Sequence, residues 1–319
     1  MTSHDQCIGR FAPSPTGPAH PGTLLSGLLA WLDARQNHAR FILRLEDIDP
    51  DRAKPEWSAA LLRDLEWFGL DWDEVVIQTT NATAHHSALD QLSDQDLLYG
   101  CTCTRAQLKR TATFAADGSR KYPGTCRERQ LTRATWRAFD GAIRLRLPEK
   151  TYLMRHLGGI GRMMQPSTEM GDPVVRRKDG AVAYHLAVVA DDIASGVTRI
   201  VRGRDLLCAT GIHLALYEAL GASPPAYFHH FLLMERRVDS SGIPQKLAKL
   251  HGSISAALLR RHLSPEALCG ILAACAGLTT DARPMTPQDL LHIYEPRNIT
   301  QSDQHMSWHE KRLEYGVCK

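Results

Sequence analysis

The chain has 319 residues, 43% hydrophobic and 23% charged, enough for two or three units around a sizeable core. A formal net charge of +3 excludes any argument for a nucleic-acid partner from charge alone, and no run of about 18 apolar residues marks a membrane span. The N-terminus lacks the basic and apolar segments of a secretory signal, so a cytoplasmic protein is predicted, with its eight cysteines buried, metal-bound or catalytic rather than disulfide-paired.

Residues 7–11 read as a short buried strand, and the Pro- and Gly-dense stretch "APSPTGPAHPG" that follows is compatible with neither helix nor ladder. Leu24, Leu25, Leu28, Leu29 and Leu32 then recur at helical spacing, with Thr23 placed to cap. "ARFILRLEDI" predicts a strand ending in charge, and Pro55, Leu61, Leu62, Leu65 and Phe68 predict a second helix stopped by Gly69. Strand, loop, helix, strand, helix is the rhythm of a parallel α/β sheet, which makes the first half a nucleotide-binding candidate.

Residues 99–170 break that rhythm and read as an insertion containing the strand "AIRLRLP". Between positions 105 and 137 nine Lys or Arg residues face only Asp117 and Glu128, as a solvated helical face or a nucleic-acid-facing one would. "PVVRRKDGAVAYHLAVVADD" predicts two strands around an Asp179–Gly180 turn. "VTRIVRG" and residues 212–220 resume the α/β pattern as strand and helix, and the chain beyond "QKLAKLHGS" is expected to be mostly helical, with Leu258, Leu259, Leu263 and Leu268 in it. The expected units are 1–98 and 171–252 as halves of one catalytic domain, 99–170 as the insertion and 253–319 as a short helical C-terminal region.

Two groups of residues carry chemistry by type and spacing. The loop over residues 13–23 joins a strand to a helix, so the helix's first-turn N–H groups and positive dipole end face whatever sits at the strand's end. Gly22 permits close approach and His20 adds a donor, which suits a phosphate, although a tight Pro-rich turn has the same residues. In the insertion, Cys101, Cys103 and Cys126 with Tyr122 offer four donors to one structural Zn²⁺, the alternative being buried free thiols. The other five cysteines show no metal spacing.

The segment "GRFAPSPTGPAHPGT" as a whole resembles the N-terminal signature of glutamyl-tRNA synthetases, with His20-Pro21-Gly22-Thr23 in place of the family's HIGH element. The resemblance continues in family order through "LRLEDIDPDR", "LEWFGLDWD", "DPVVRRKDGAVAYHLAVVADDIASGVTRIVRGRDLL" and "KLAK" at 246–249. It implies a Rossmann-like catalytic domain that activates L-glutamate with ATP and Mg²⁺. By the same resemblance His20 and Lys249 act on the phosphates, and His20, Gly22, Thr23, Lys246 and Lys249 bind ATP. Arg10, Phe11, Ala12, Pro13, Ser14, Glu46, Tyr184 and Arg202 would bind glutamate, the arginines at its side-chain carboxylate and Ser14 and Glu46 at its amino group. Taken without the motifs, Arg10 and Glu46 could equally be an ion pair between adjacent strands, and Tyr184 a core aromatic.

Ala248 and Leu250 depart from the polar residues of the family's KMSKS loop, which predicts weaker ATP binding by about one hydrogen bond, on the order of 0.5–1.5 kcal/mol. The Cys-Cys-Tyr-Cys arrangement resembles the zinc site of one branch, the glutamyl-Q tRNA(Asp) synthetases. Only 69 residues follow Leu250, too few for the long anticodon-binding module of ordinary members. Membership of that branch implies transfer of glutamate to the queuosine base of tRNA(Asp), by a monomer with no membrane partner. The rival expectations are an ordinary glutamyl-tRNA synthetase fragment and a non-catalytic glutamate- or RNA-binding paralogue.

Overall fold

The computed structural model describes residues 7–235, the backbone of 245–246, and 254–318. The chain opens with strand β1 (Ile8–Phe11), helix α1 (Pro21–Gln36), β2 (Arg40–Leu45), α2 (Pro55–Trp67), β3 (Glu74–Ile77) and α3 (Ala82–Asp94). Helix α1 starts two residues before the expected cap: Pro21 takes the first helical position, where its missing N–H costs nothing, and His20 is the extended flanking residue. The five predicted leucines are all wholly buried, and at roughly 1.5–3 kcal/mol each they anchor α1 against the sheet. Helix α2 ends as its sequence indicates, with Gly69 at φ +85.

The insertion follows with β4 (Leu98–Cys101), α4 (Arg105–Thr111), the hairpin β5 (Thr113–Phe114) and β6 (Arg120–Lys121), and β7 (Ala142–Leu145). A second hairpin of β8 (Tyr152–Met154) and β9 (Arg162–Met164) leads through α5 (Pro166–Glu169) to β10 (Val174–Arg176). Strands β10, β7 and β4 make a three-stranded antiparallel sheet. Its Ile143 shares a core with Leu186, Ile212 and Tyr227 of the second half.

The expected strand pair around Asp179–Gly180 forms only its first arm. Val182 bridges to Arg176, and the rest of the segment is helix α6 (Tyr184–Ala194). A short apolar run fits a buried helix as well as a strand, and here both neighbouring helices, α3 and the later α7, pack on it. Strand β11 (Arg199–Gly203), helix α7 (Leu207–Ala219) and β12 (Ala226–His230) then complete a parallel sheet of order β12-β11-β1-β2-β3.

After β13 (Leu233–Glu235) and β14 (Gln245–Lys246), helices α8 (Ala256–Leu259), α9 (Pro265–Ala276) and α10 (Pro287–Leu290) bury Leu259, Leu268 and Leu290, respectively, in the same core as α1. The mostly helical C-terminal expectation is corrected at its end. Residues 304–317 form an antiparallel hairpin, β15 (Gln304–His309) and β16 (Arg312–Val317), which joins β13 in a separate, mixed sheet. Among the described residues no helix is long and apolar enough to cross a membrane.

Candidate active site

A cavity of about 320 Å³ opens where the C-terminal ends of β1, β11 and β12 meet the start of α1. The chain leaves β1 toward β2 and β3 on one side, while β11 and β12 lie on the other, so the cavity sits at the crevice where strand order reverses. Its lining includes all eight residues expected at glutamate, namely Arg10, Phe11, Ala12, Pro13, Ser14, Glu46, Tyr184 and Arg202, together with His20, Gly22 and Thr23. Lys246 has its backbone paired with Met234 on the edge of β13, and Lys249, Ala248 and Leu250 lie outside the described residues.

Gly22 is set by contact rather than by dihedral freedom. A Cβ there would come within 3.0 Å of His20 Cε1, so the glycine lets the imidazole lie over the first turn of α1. Ser26, one turn further on, reaches the Gly22 carbonyl at 2.9 Å and His230 Nε2 at 3.0 Å, which ties α1 to the end of β12.

The two arginines expected at a carboxylate are held in opposite ways. Arg10 Nε lies 3.3 Å from Asp192 Oδ1, and Arg44 Nη1 approaches the same oxygen at 2.5 Å. Arg44 also reaches Glu46 Oε1 at 3.2 Å, so Arg10 and Glu46 are not a cross-strand pair but are linked through Asp192 and Arg44. All four side chains are at most 8% exposed. Burial pushes the Glu46 carboxyl above its usual range although Arg44 and Arg10 oppose this, whereas the same two cations overcome burial at Asp192 and hold it low.

Arg202 has no carboxylate among its hydrogen-bonding partners in the described residues. Nε donates to His229 Nε2 at 3.2 Å, Nη1 to His213 Nδ1 at 3.3 Å, and Nη2 to Thr210 Oγ1 at 2.7 Å and the Leu206 carbonyl at 3.3 Å. Its charge also lies 5.2 Å from the centre of the Tyr227 ring. A guanidinium only 5% exposed that has no carboxylate hydrogen-bonded to it among the described residues favours an anion in the cavity beside it.

Residue-type reasoning did not single out Arg44, Asp192, His213 or His229. The adjacent acids Asp191 and Asp192 were visible as a pair ending an apolar run, and buried charge of that kind commonly marks a site. Nothing in sequence pattern distinguishes the two histidines, which meet Arg202 from α7 and β12.

In the insertion, the Cys101, Cys103 and Cys126 sulfurs lie within 4.8 Å of one another. Tyr122 Oη is 3.5 Å from Cys101 Sγ and 3.6 Å from Cys103 Sγ, and it accepts from the Cys126 N–H at 2.9 Å. Burial raises the Cys126 thiol, but hydrogen bonds from the Tyr122 hydroxyl, the Thr102 N–H and the other two thiols bring it down to about 7. Three converging thiols with a phenolic oxygen make a donor set suited to a tetrahedral metal.

The nine basic residues of the run divide into three groups, of which one is Lys121 and Arg129, hydrogen-bonded to the Thr168 carbonyl and the Thr102 hydroxyl. Arg127, Arg133 and Arg137 are paired with Asp172, Asp94 and Asp90. Arg105, Lys109 and Arg110 on α4, and Arg120 stacked 4.6 Å over the exposed Phe114 ring, are solvent-facing and have no ion-pair partner among the described residues.

Residues 6–258 match the family model described as tRNA synthetases class I (E and Q), catalytic domain. The chain is 42% identical over 302 residues to the glutamyl-Q tRNA(Asp) synthetase of Nitratidesulfovibrio vulgaris, covering 89% of this chain and 91% of that one. It is 38% identical to the protein of the same name from Symbiobacterium thermophilum, covering 91% and 93%. The fold is similar to a glutamate-tRNA synthetase from Elizabethkingia anophelis, with a TM-score of 0.77, 24% identity and coverage of 96% of this chain and 69% of that chain. A glutamate tRNA ligase from Elizabethkingia meningosepticum gives a TM-score of 0.75 and 23% identity, with 93% of this chain and 66% of that one covered. The chain belongs to the class I tRNA synthetase family of the E and Q type and groups within it with the glutamyl-Q tRNA(Asp) synthetases.

Proposed function

We propose that the protein activates L-glutamate as glutamyl-adenylate and transfers the glutamyl group to the queuosine base at the wobble position of tRNA(Asp). The observation that carries the glutamate reading is that Arg202, whose hydrogen-bond partners among the described residues are all uncharged, lines a cavity that also presents Glu46, so a cation and a carboxylate share one small space. A dicarboxylate amino acid has the complementary groups, with its side-chain carboxylate toward Arg202 and Arg10 and its ammonium toward Glu46 and Ser14. The remaining α-carboxylate is then left to face the start of α1.

In this reading an α-carboxylate oxygen attacks the α-phosphorus of ATP, and pyrophosphate leaves. His20, Gly22 and Thr23 receive the phosphates at the positive end of α1, where Mg²⁺ is expected to accompany ATP. Lys246 and Lys249 are proposed to neutralise the departing pyrophosphate. A hydroxyl of the queuosine cyclopentenediol next attacks the glutamyl carbonyl carbon, which forms an ester, releases AMP and frees the hydroxyl proton.

Cys101, Cys103, Tyr122 and Cys126 are proposed to hold one structural zinc ion that keeps β4 and the hairpin of β5 and β6 together. The solvent-facing cations of α4 and Arg120, which have no ion-pair partner among the described residues, are the groups that would follow RNA phosphates, a contact weakened by salt. Glutamate-dependent exchange of pyrophosphate into ATP tests the first half-reaction. It should proceed without RNA, and its absence at saturating ATP and glutamate would remove the enzymatic reading.

A further inference from the structure

Arg10 and Arg202 line the same cavity but differ in how their charge is met inside the protein. Arg10 is balanced by Asp192, so its charge is largely spent inside the protein. Arg202 makes four hydrogen bonds to partners that carry no negative charge, namely two imidazoles, a hydroxyl and a carbonyl. A guanidinium has five N–H donors, so one on Nη1 remains for the cavity that Arg202 lines.

Both histidines must be neutral to accept these bonds, and their surroundings keep them so. His213 and His229 are 1% and 6% exposed. Burial, followed by the Arg202 charge, drives both well below the usual imidazole range. With Nδ1 accepting from Arg202, the Nε2 proton of His213 points to His185 Nδ1 at 3.3 Å. Thr210, wholly buried between them, contacts Arg202 and lies 3.0 Å from His229 Nε2. Acids at these two positions would hold the guanidinium equally well and would cancel its charge.

We propose that His213 and His229 are specificity-positioning residues, uncharged acceptors that aim Arg202 into the cavity without neutralising it, so that an anionic substrate side chain is accepted and its uncharged amide rejected. The proposal rests on the reading that Arg202 meets the glutamate side-chain carboxylate. It differs from a packing role because it depends on the charge of the residue at each position and not on its bulk.

Matched substitutions separate the two roles. Asn mimics the Nδ1 acceptor that His213 uses and Gln the Nε2 acceptor that His229 uses, while Asp and Glu add a charge in nearly the same shape. In pyrophosphate exchange, H213D and H229E should each raise KM for glutamate about tenfold or more, with kcat changed less than about threefold, and should lower the glutamate-over-glutamine preference by a similar factor. H213N and H229Q should recover KM to within about threefold of wild type.

Calorimetric titration of the same folded proteins with glutamate and with glutamine reads the effect without catalysis. A wild-type protein that binds glutamate but catalyses no exchange would therefore refute the adenylating function and still decide this proposal. Equal losses in the neutral and charged members of each pair, or an unchanged glutamate preference in both H213D and H229E, would overturn it.

Discussion

Arg10 Nε stands 3.3 Å from Asp192 Oδ1, and both side chains are at most 5% exposed. The same oxygen takes Arg44 Nη1, so one carboxylate holds two buried guanidiniums, of which Arg10 lines the cavity. Asp192→Asn removes their shared counter-charge while keeping the shape, and a loss of about 3–5 kcal/mol is expected in urea unfolding. Asp192 is held below the ordinary carboxylate range by Arg10 and Arg44 despite burial, so the unfolded chain takes up this proton first. The stabilisation is therefore complete above the unfolded value of about pH 4 and lost as pH falls through the lower native value. Stability of the wild type should decline more steeply below about pH 4 than that of D192N.

Glu46 lies on the other side of that balance. Burial raises its carboxyl above the usual range against the pull of Arg44 and Arg10, so it takes up a proton earlier than an exposed glutamate when pH falls. Protonation removes the charge proposed to receive the substrate ammonium. KM for glutamate should rise as pH falls and start to do so above the ordinary glutamate range, whereas Glu46→Gln should show a high KM that is flat over the same interval. A wild-type KM that is also flat there would separate Glu46 from the ammonium.

Gly22→Ala tests the phosphate end of the site. Alanine is the better helix former by about 1 kcal/mol, so unfolding should show no loss of stability, but its Cβ would meet His20 Cε1 at 3.0 Å. Displacement of the imidazole should lower kcat/KM for ATP about tenfold or more with glutamate KM nearly unchanged. Unaltered ATP kinetics would mean that His20 does not work from this position.

For the thiol cluster, plasma emission analysis of the purified protein should find one zinc per chain. Cys126→Ala should bring the content close to zero, because removing one of four ligands opens a closed structural site. Unchanged zinc content in that variant would take Cys126 out of the site.

Much of this was legible from the chain, and the exceptions have identifiable causes. The strand-loop-helix-strand pattern over residues 8–67 was readable because β1, α1, β2 and α2 are each bounded by Pro, Gly or charge. The motif residues Arg10 to Ser14, His20, Gly22, Thr23, Glu46, Tyr184 and Arg202 reach one cavity because each lies on or just after a β1, β2 or β11 strand end, or opens α1 or α6.

The C-terminal hairpin escaped notice because its turn uses Glu310 and Lys311 at φ +45 and +64, where Asn-Gly or Asp-Gly would be the usual signal. Helix α6 escaped because Val188, Val189 and Ile193 are β-branched, and only packing against α3 and α7 decides their conformation. Arg44 and His213 were hidden for a related reason. Their roles come from pairing across 148 and 11 residues of chain, and no local pattern records that.

The most direct measurement is the position of radiolabelled glutamate on RNA after incubation of the protein with ATP and, separately, tRNA(Asp) with queuosine, tRNA(Asp) without it, and tRNA(Glu). Label should appear only on queuosine-containing tRNA(Asp) and stay with the anticodon fragment after nuclease cleavage. Label on the terminal adenosine of any of these RNAs, or equal labelling of tRNA(Asp) with and without queuosine, would contradict transfer to the modified base.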